Sequence, residues 1–256
     1  MAHEPKDEKG RLYHVSLGKG DVGRVALLPG DPDRVPEIAK RFREPRVLSS
    51  HREYTAYGGY VGKEYVVAMS TGIGGPATAI AVEELARLGV KVMVRVGTCG
   101  AISRKARLGS VLIPDASVRM EGTSAQYVPQ GFPAAASPEV VVALRDAAAS
   151  LKKTFAVGTV ASTDSFYVGQ GRKSFGGYFP SAAGSLIEDL GAANVLGFEM
   201  ECATLFTLAR VFGLKSAAVL AVVANRATDE FRPGAGVDEA IDVAVEGVRR
   251  FPRTGV

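Results

Sequence analysis

The sequence predicts an α/β fold: a single domain with a mixed, mostly parallel central sheet flanked by helices. Short apolar runs alternate along the chain with helix-length periodic segments. The runs are continuously apolar rather than alternating, as strands covered on both faces of a sheet are. Two runs, residues 92–96 and 110–114, follow each other with no helical pattern between them, which implies an antiparallel or barrel-like elaboration of the sheet. At 256 residues, 46% hydrophobic and 23% charged, the chain can bury one large core. No repeat or long linker divides it, so residues 1–256 read as one domain.

The elements follow in order. Residues 1–11 are charged and lack the apolar stretch of a secretory signal, and are expected to form a mobile tail. Residues 24–28 read as a buried strand. Residues 32–42 read as a helix, because Asp31 can cap it and Pro32 suits its first turn. His51 to Tyr54 precede a short strand pair. Residues 65–69 are a strand, 75–88 a helix, and 92–96 and 110–114 strands. The Pro/Ala/Gly segment 128–137 reads as a surface loop. Residues 138–151 are a helix and 155–162 a strand whose apolar run continues to Tyr167. The Gly/Ser/Pro-rich stretch 173–185 is suited to act as a flap. Residues 200–211 are a helix, 217–223 a strand and 237–251 the last helix.

Composition excludes several classes. Net charge is +4. Nucleic-acid binding calls for clustered basic residues interleaved with aromatics, and the nearest tract, residues 40–43, reads as a cationic helix end. A basic site for an anionic small molecule fits better. There is no unbroken apolar run of membrane-spanning length. Cys99 and Cys202 fit neither a zinc spacing nor a disulfide framework, which points to a reducing cytoplasm. Scarce Asn and Gln lean towards a thermophilic source.

Polar residues just past buried strands are the expected ligand positions in such a fold. The chain holds only three Gln and two Asn, and one Gln lies in Gly169-Gln170-Gly171-Arg172. An amide and a guanidinium on closely approachable glycines can read the edge of a flat heterocycle. Gly30 to Arg34 form either an anion site at a helix start or a plain strand–turn–helix connection. Arg95 interrupts an apolar strand and needs a buried anion, either a carboxylate or a bound phosphate, with Gly97, Thr98 and Gly100 beside it. Arg52 is a third phosphate ligand or, more simply, a surface ion pair. Residues 70–76 look like a phosphate-binding turn without its Lys, or a point of close packing that shapes a pocket. Glu199 and Glu201 at a helix start are caps, or acceptors for sugar hydroxyls with Met200 against the sugar's apolar face. Asn225 and Arg226 follow a buried strand, as ligands or as a solvated loop.

Together these segments resemble the nucleoside phosphorylase-I family, most closely its members that cleave uridine. The resemblance runs from about His14 to the last helix. It rests on Gly-Asp-Pro-Asp-Arg at 30–34, His-Arg-Glu-Tyr-Thr at 51–55, Ser-Thr-Gly-Ile-Gly-Gly-Pro at 70–76 and Arg-Val-Gly-Thr-Cys-Gly-Ala-Ile at 95–102. It rests also on Asp-Ser-Phe-Tyr-Val-Gly-Gln-Gly-Arg at 164–172, Glu-Met-Glu-Cys-Ala-Thr-Leu at 199–205 and Asn-Arg at 225–226.

The resemblance implies reversible phosphorolysis of uridine to uracil and ribose 1-phosphate, with inorganic phosphate as co-substrate and no cofactor. It implies that Gly30, Arg34, Arg95 and Thr98 bind phosphate, joined by Arg52 of a neighbouring subunit. Glu199, Met200 and Glu201 would bind ribose, with His14 lent across the interface. Phe166, Gln170, Arg172 and Arg226 would bind the base. Arg95, Arg172 and Glu201 would act at the reacting centre. The expected assembly is a hexamer, a trimer of dimers. Potassium-binding members use a Glu, an Ile and a Ser; Glu53 and Ile73 match, but Ala77 replaces the Ser, which weakens that expectation. Purine-cleaving members often carry Ser-Asp where this chain has Ala224-Asn225. A purine or methylthioadenosine phosphorylase, a nucleosidase and a silent nucleoside-binding protein are the alternatives.

Overall fold

The first strands form an open wing. β1 (Val25–Leu28) is buried throughout, and α1 (Arg34–Ala39) follows it after a short turn. A hairpin of β2 (Arg43–His51) and β3 (Tyr54–Val61) leads to β4 (Glu64–Met69), which returns beside β1 in parallel. These elements belong to a computed structural model that describes residues 5–252. α2 (Gly75–Leu88) then crosses to β5 (Val92–Ala101), parallel to β1 on its other side.

β5 leaves the wing and enters a closed ring. β1 pairs with it only from Val92 to Arg95, whereas β9 (Gly197–Glu199) meets it antiparallel at Gly100 and Ala101. β10 (Lys215–Asn225) runs parallel to β5 and antiparallel to β6 (Val111–Met120). β6 pairs in parallel with β8 (Phe155–Thr163), and β8 in parallel with β9. The order β5, β10, β6, β8, β9 and back to β5 is a five-stranded barrel. The barrel-like elaboration expected around Val111 is therefore present. β5 and β6, neighbours in sequence, do not pair; β10 lies between them. Two short strands, β7 (Ala134–Ala135) and β11 (Glu230–Phe231), extend β6 and β10. The helices pack in pairs, α2 with α5 (Cys202–Val211) and α3 (Pro138–Ser150) with α6 (Val237–Val248).

Several boundaries differ from those the sequence predicts. The first helix is six residues long, not eleven, and the strand expected to run on to Tyr167 ends at Thr163. The last helix ends at Val248 and α5 begins at Cys202. The tract 40–43 does stand at a helix end: Lys40 caps α1 and Arg41 Nη1 donates to the Glu37 carbonyl at 3.0 Å, while Arg41 also bridges to Asp238 at 2.6 Å and Asp242 at 3.3 Å on α6, and Arg43 opens β2. β2 carries no alternating pattern to announce it, because most of its residues are exposed. α4 (Leu186–Ala192) was hidden by its shortness; Leu186, Ile187 and Leu190 pack on a small cluster of Ile102, Ala161, Val195 and Phe198. The loop at 128–137 is pinned by Arg119, whose Nη1 donates to the carbonyls of Pro129, Gln130 and Phe132. Of the expected tail, residues 1–4 lie outside the described residues. Asp7 folds the next part into a turn, accepting from the backbone N–H of Lys9 and Arg11 at 2.8 and 2.9 Å.

The barrel closes over a glycine. A Cβ on Gly197 would stand 2.8 Å from the Gly100 carbonyl oxygen. Gly197→Ala is expected to push β9 from β5 and to cost about 1–3 kcal/mol. A urea midpoint unchanged from wild type would show that the seam tolerates the methyl group.

Candidate active site

A cavity of about 620 Å³ opens where the chain leaves the carboxyl ends of β1, β5, β9 and β10. That volume suits a small polar metabolite, and the position is where α/β folds bind ligands. Its floor is β5, and the one charged side chain that β5 contributes there is Arg95, 6% exposed.

Arg95 is the centre of a buried charge network. Its Nε donates to Glu199 Oε2 at 3.1 Å and its Nη2 pairs with Glu201 Oε2 at 2.6 Å. The side chain lies back over its own strand, which Gly97 permits. A Cβ there would stand 2.6 Å from Arg95 Cζ. Nη1 lies beside Gly30 at the cavity wall, 3.8 Å from where a Cβ would be. Burial lowers the pKa of Arg95, but Glu201 and Glu199 outweigh it and hold the guanidinium firmly charged. One edge of the guanidinium, Nε and Nη2, thus spans two carboxylates, while Nη1 stands at the cavity wall.

The two carboxylates differ. Glu199 Oε2 accepts from Arg95 and from the backbone N–H of Glu201 and Cys202, at 2.8 and 2.9 Å, while Oε1 accepts from the Ser162 hydroxyl. Its side chain has no exposed surface. Glu199 lies on the cavity wall, but its hydrogen bonds go to the protein. Glu201 Oε1 accepts from Gly74 N–H at 2.6 Å, at the start of α2. The turn at 70–76, which looks fit for phosphate, therefore receives the chain's own carboxylate at a helix N-terminus. Burial raises the pKa of Glu201, Arg95 opposes it, and Glu199 adds to it.

Gly30, Arg34 and Thr98 line the end of the cavity near Arg95. Gly30 is forced by close approach, since a Cβ would meet the Gly72 carbonyl oxygen at 3.1 Å. Arg34 opens α1 and donates Nη1 to Val96 O at 3.3 Å, with Asp31 at 3.9 Å. Burial, and then Arg95, lower its pKa, as two like charges on one wall must.

Phe166, Gln170 and Arg172 line the other end, with Met200 and Phe231 also on the walls. Gln170 is buried in a 3-10 turn spanning Val168–Gln170. Arg172 Nη1 donates to Gln170 Oε1 at 2.8 Å and to Phe166 O at 2.7 Å, and Gln170 Nε2 donates to Thr163 Oγ1 at 3.3 Å. The Arg172 guanidinium stacks over the Phe166 ring at 4.2 Å. Arg226 Nη1 donates to the Gln170 carbonyl, and its Nη2 is buried without a partner. Burial, then Arg172, push the pKa of Arg226 down to about 10. This is a planar, donor-rich wall beside an aromatic face.

A model of the phosphorylase superfamily matches residues 24–253. The chain belongs to that family. It is 50% identical over 248 residues to a uridine phosphorylase of Thermococcus kodakarensis, covering 97% of this chain and 89% of the relative. It is 41% identical over 251 residues to a uridine phosphorylase of Escherichia coli, covering 95% and 99%. It is also 34% identical over 241 residues to a guanosine phosphorylase of Halorubrum lacusprofundi, covering 94% of each chain.

Some residues that the family resemblance singles out do not reach this cavity within one chain. Arg52 is exposed at the β2–β3 turn, donating to Tyr13 OH at 3.2 Å. His14 lines a separate cleft and holds Glu84 through Nδ1 at 2.7 Å. Ile73 is 77% exposed at the cavity edge, and Glu53 packs under Gly72. Asn225 clamps the carbonyls of Ser103 and Ala106 at 3.1 and 2.7 Å, a structural task rather than a ligand contact. Sequence reasoning missed Ser162 and Phe231, and it singled out the turn at 70–76 without the donation of Gly74 N–H to Glu201. A serine inside an apolar strand was the available signal for the first; backbone donation by Gly74 and the two-residue β11 left none.

Gly97→Ala is expected to displace the Arg95 guanidinium and weaken inorganic phosphate binding by about tenfold or more. Titration calorimetry with phosphate alone measures this; wild-type affinity in the variant would show that Arg95 need not lie over Gly97.

Proposed function

We propose that the chain catalyses the reversible phosphorolysis of uridine to uracil and ribose 1-phosphate. The observation that carries this reading is the division of one cavity into two ends. Arginine and glycine stand at one, and an amide–guanidinium pair stacked on an aromatic ring stands at the other. Met200 and Glu201 lie between them, where a sugar would sit. The names of the relatives from Thermococcus kodakarensis and Escherichia coli agree with it.

The chemistry follows from the charges. Breaking the C–N glycosidic bond builds positive charge on the sugar, as in glycoside cleavage. Phosphate held by Gly30, Arg34, Arg95 and Thr98 is aimed at the anomeric carbon and attracts that charge. Arg95 is the donor already fixed in place, so little reorganisation is needed when phosphate arrives. Glu201 accepts from a ribose hydroxyl on the edge not taken by Gly74 and Arg95, and Met200 packs on the sugar. The base leaves with negative charge spread over its carbonyls, and Arg172 meets it while Gln170 fixes register. Such a donor is worth about 2.7–4 kcal/mol in the transition state. Phosphate is the co-substrate, and no step calls for a metal or organic cofactor.

The reading includes a shared site. The cavity is lined by three arginines and three carboxylates, Arg34, Arg95 and Arg172 against Asp31, Glu199 and Glu201. One chain therefore offers a phosphate dianion no net positive charge. Arg52 from a neighbouring subunit would supply it, and His14 beside it would reach the sugar. A hexamer built from dimers is the assembly this favours. Two buried free cysteines suit a reducing cytoplasm, and none of the described helices is long and apolar enough to cross a membrane.

Base release from uridine, thymidine, cytidine, inosine and adenosine, with and without phosphate, tests the reading. Uridine is expected to be cleaved only with phosphate; full-rate release without it would make the protein a hydrolase. Arg172→Ala is expected to lower kcat/KM for uridine about 100-fold and for a purine nucleoside far less; equal losses would remove Arg172 from base recognition. Arg52→Ala and Arg95→Ala are each expected to be nearly inactive, yet refolding them together should restore about a quarter of the sites, because a mixed pair holds one intact site. No recovery on mixing would mean that each chain supplies its own Arg52.

A further inference from the structure

The least expected part of the charge network is behind Glu199. Ser162 lies on β8, is fully buried and does not line the cavity, yet its hydroxyl donates to Glu199 Oε1. Ser162 Oγ accepts in turn from Ala203 N–H at 2.8 Å and stands 2.8 Å from Ser117 Oγ on β6. Ser117 is also buried. Two serines from adjacent barrel strands thus prop one carboxylate from the side away from Arg95.

The arrangement at Arg95 explains what this does. A guanidinium beside a buried carboxylate prefers the two-bond fork, with Nε and one Nη on the two oxygens of the same group. Arg95 does not adopt it. Its Nε goes to Glu199 and its Nη2 to Glu201, so one edge spans two carboxylates. The fork on Glu199 would need Oε1 turned towards Nη2 and so away from Ser162, whose hydroxyl holds it. We propose that Ser162 is a positioning residue that denies Arg95 a bidentate grip on Glu199, thereby keeping Nη2 on Glu201 and Nη1 at the phosphate end of the cavity. Ser117 holds the Ser162 hydroxyl in that role. This rests on the phosphate reading of the Gly30–Arg95 end of the cavity.

Without the hydroxyl, Glu199 Oε1 is buried with no donor, and the nearest one able to turn towards it is Arg95. The guanidinium closes on Glu199, releases Glu201 and withdraws Nη1 from Gly30. The fold keeps its charge pair, while the cavity loses its fixed donor.

The test is calorimetric titration of the full chain with inorganic phosphate alone. Ser162→Ala is expected to weaken phosphate about tenfold. Ser162→Thr, which keeps the hydroxyl on a strand that favours β-branched residues, should return affinity to within about twofold of wild type. Val160→Ala, a core truncation on the same strand, should leave phosphate affinity within about twofold despite its loss of melting temperature. If Ser162→Ala does not fold, Ser117→Ala takes its place, with an expected loss of about threefold. Unchanged affinity in the serine variant overturns the inference, as does an equal loss in Val160→Ala, which would mark a general loosening. Uridine cleavage by the wild type is measured in parallel. If phosphate binds as expected but uridine is not cleaved, the substrate reading falls and the role of Ser162 stands. If the wild type binds no phosphate, both fall.

Discussion

One guanidinium held between two buried carboxylates is the constraint on which the rest of this site depends. Arg95 comes from the strand that the open wing and the barrel share, Glu199 from the strand that closes the barrel, and Glu201 from the N-cap position of α5. Fixing these three side chains ties the junction of β9 and α5 to a strand that lies 104 residues earlier. Removing one partner would strand a buried charge, at a cost of about 3–5 kcal/mol. The same pairing keeps Arg95 ionised and its outer nitrogen steady. Here structural and functional demands are met by one group of atoms rather than traded against each other.

Glycine does the complementary work around it. Gly97 leaves room for Arg95 to lie along its own strand, Gly30 lets the first loop meet the turn after β4, and Gly197 lets β9 close on β5. A methyl group at Gly197 would collide with backbone, one at Gly30 would press on the Gly72 carbonyl, and one at Gly97 would push the Arg95 guanidinium aside. The glycines around these charges have a steric reason: the polar groups are crowded against backbone, and a missing Cβ admits them.

Much of this was legible in the sequence, for identifiable reasons. α2 was readable to its last residue because a glycine-proline start and a glycine stop bracket a periodic apolar face. The buried strands were readable because both faces are covered. Arg95 stood out because an arginine in an apolar strand demands an anion, and two buried carboxylates meet it. β2 was not readable, because an exposed edge strand carries no hydrophobic alternation. Nor was the division of labour between Glu199 and Glu201. Two identical residues two positions apart look alike in sequence; one meets a helix start and the cavity, the other a serine on a distant strand. Long-range pairing of that kind depends on the barrel closure and leaves no local pattern.

The equal count of arginines and carboxylates on the cavity wall also bears on how the empty protein behaves. A pocket with three unmatched guanidinium groups would collect chloride, sulfate and metabolite anions indiscriminately, and would have to shed them before each turnover. This wall is neutralised from within. An anion gains entry only by matching the fixed geometry of the donors that face it, not through a pool of attractive charge. Within one chain, the selection of one oxyanion over another becomes a question of shape and hydrogen-bond direction.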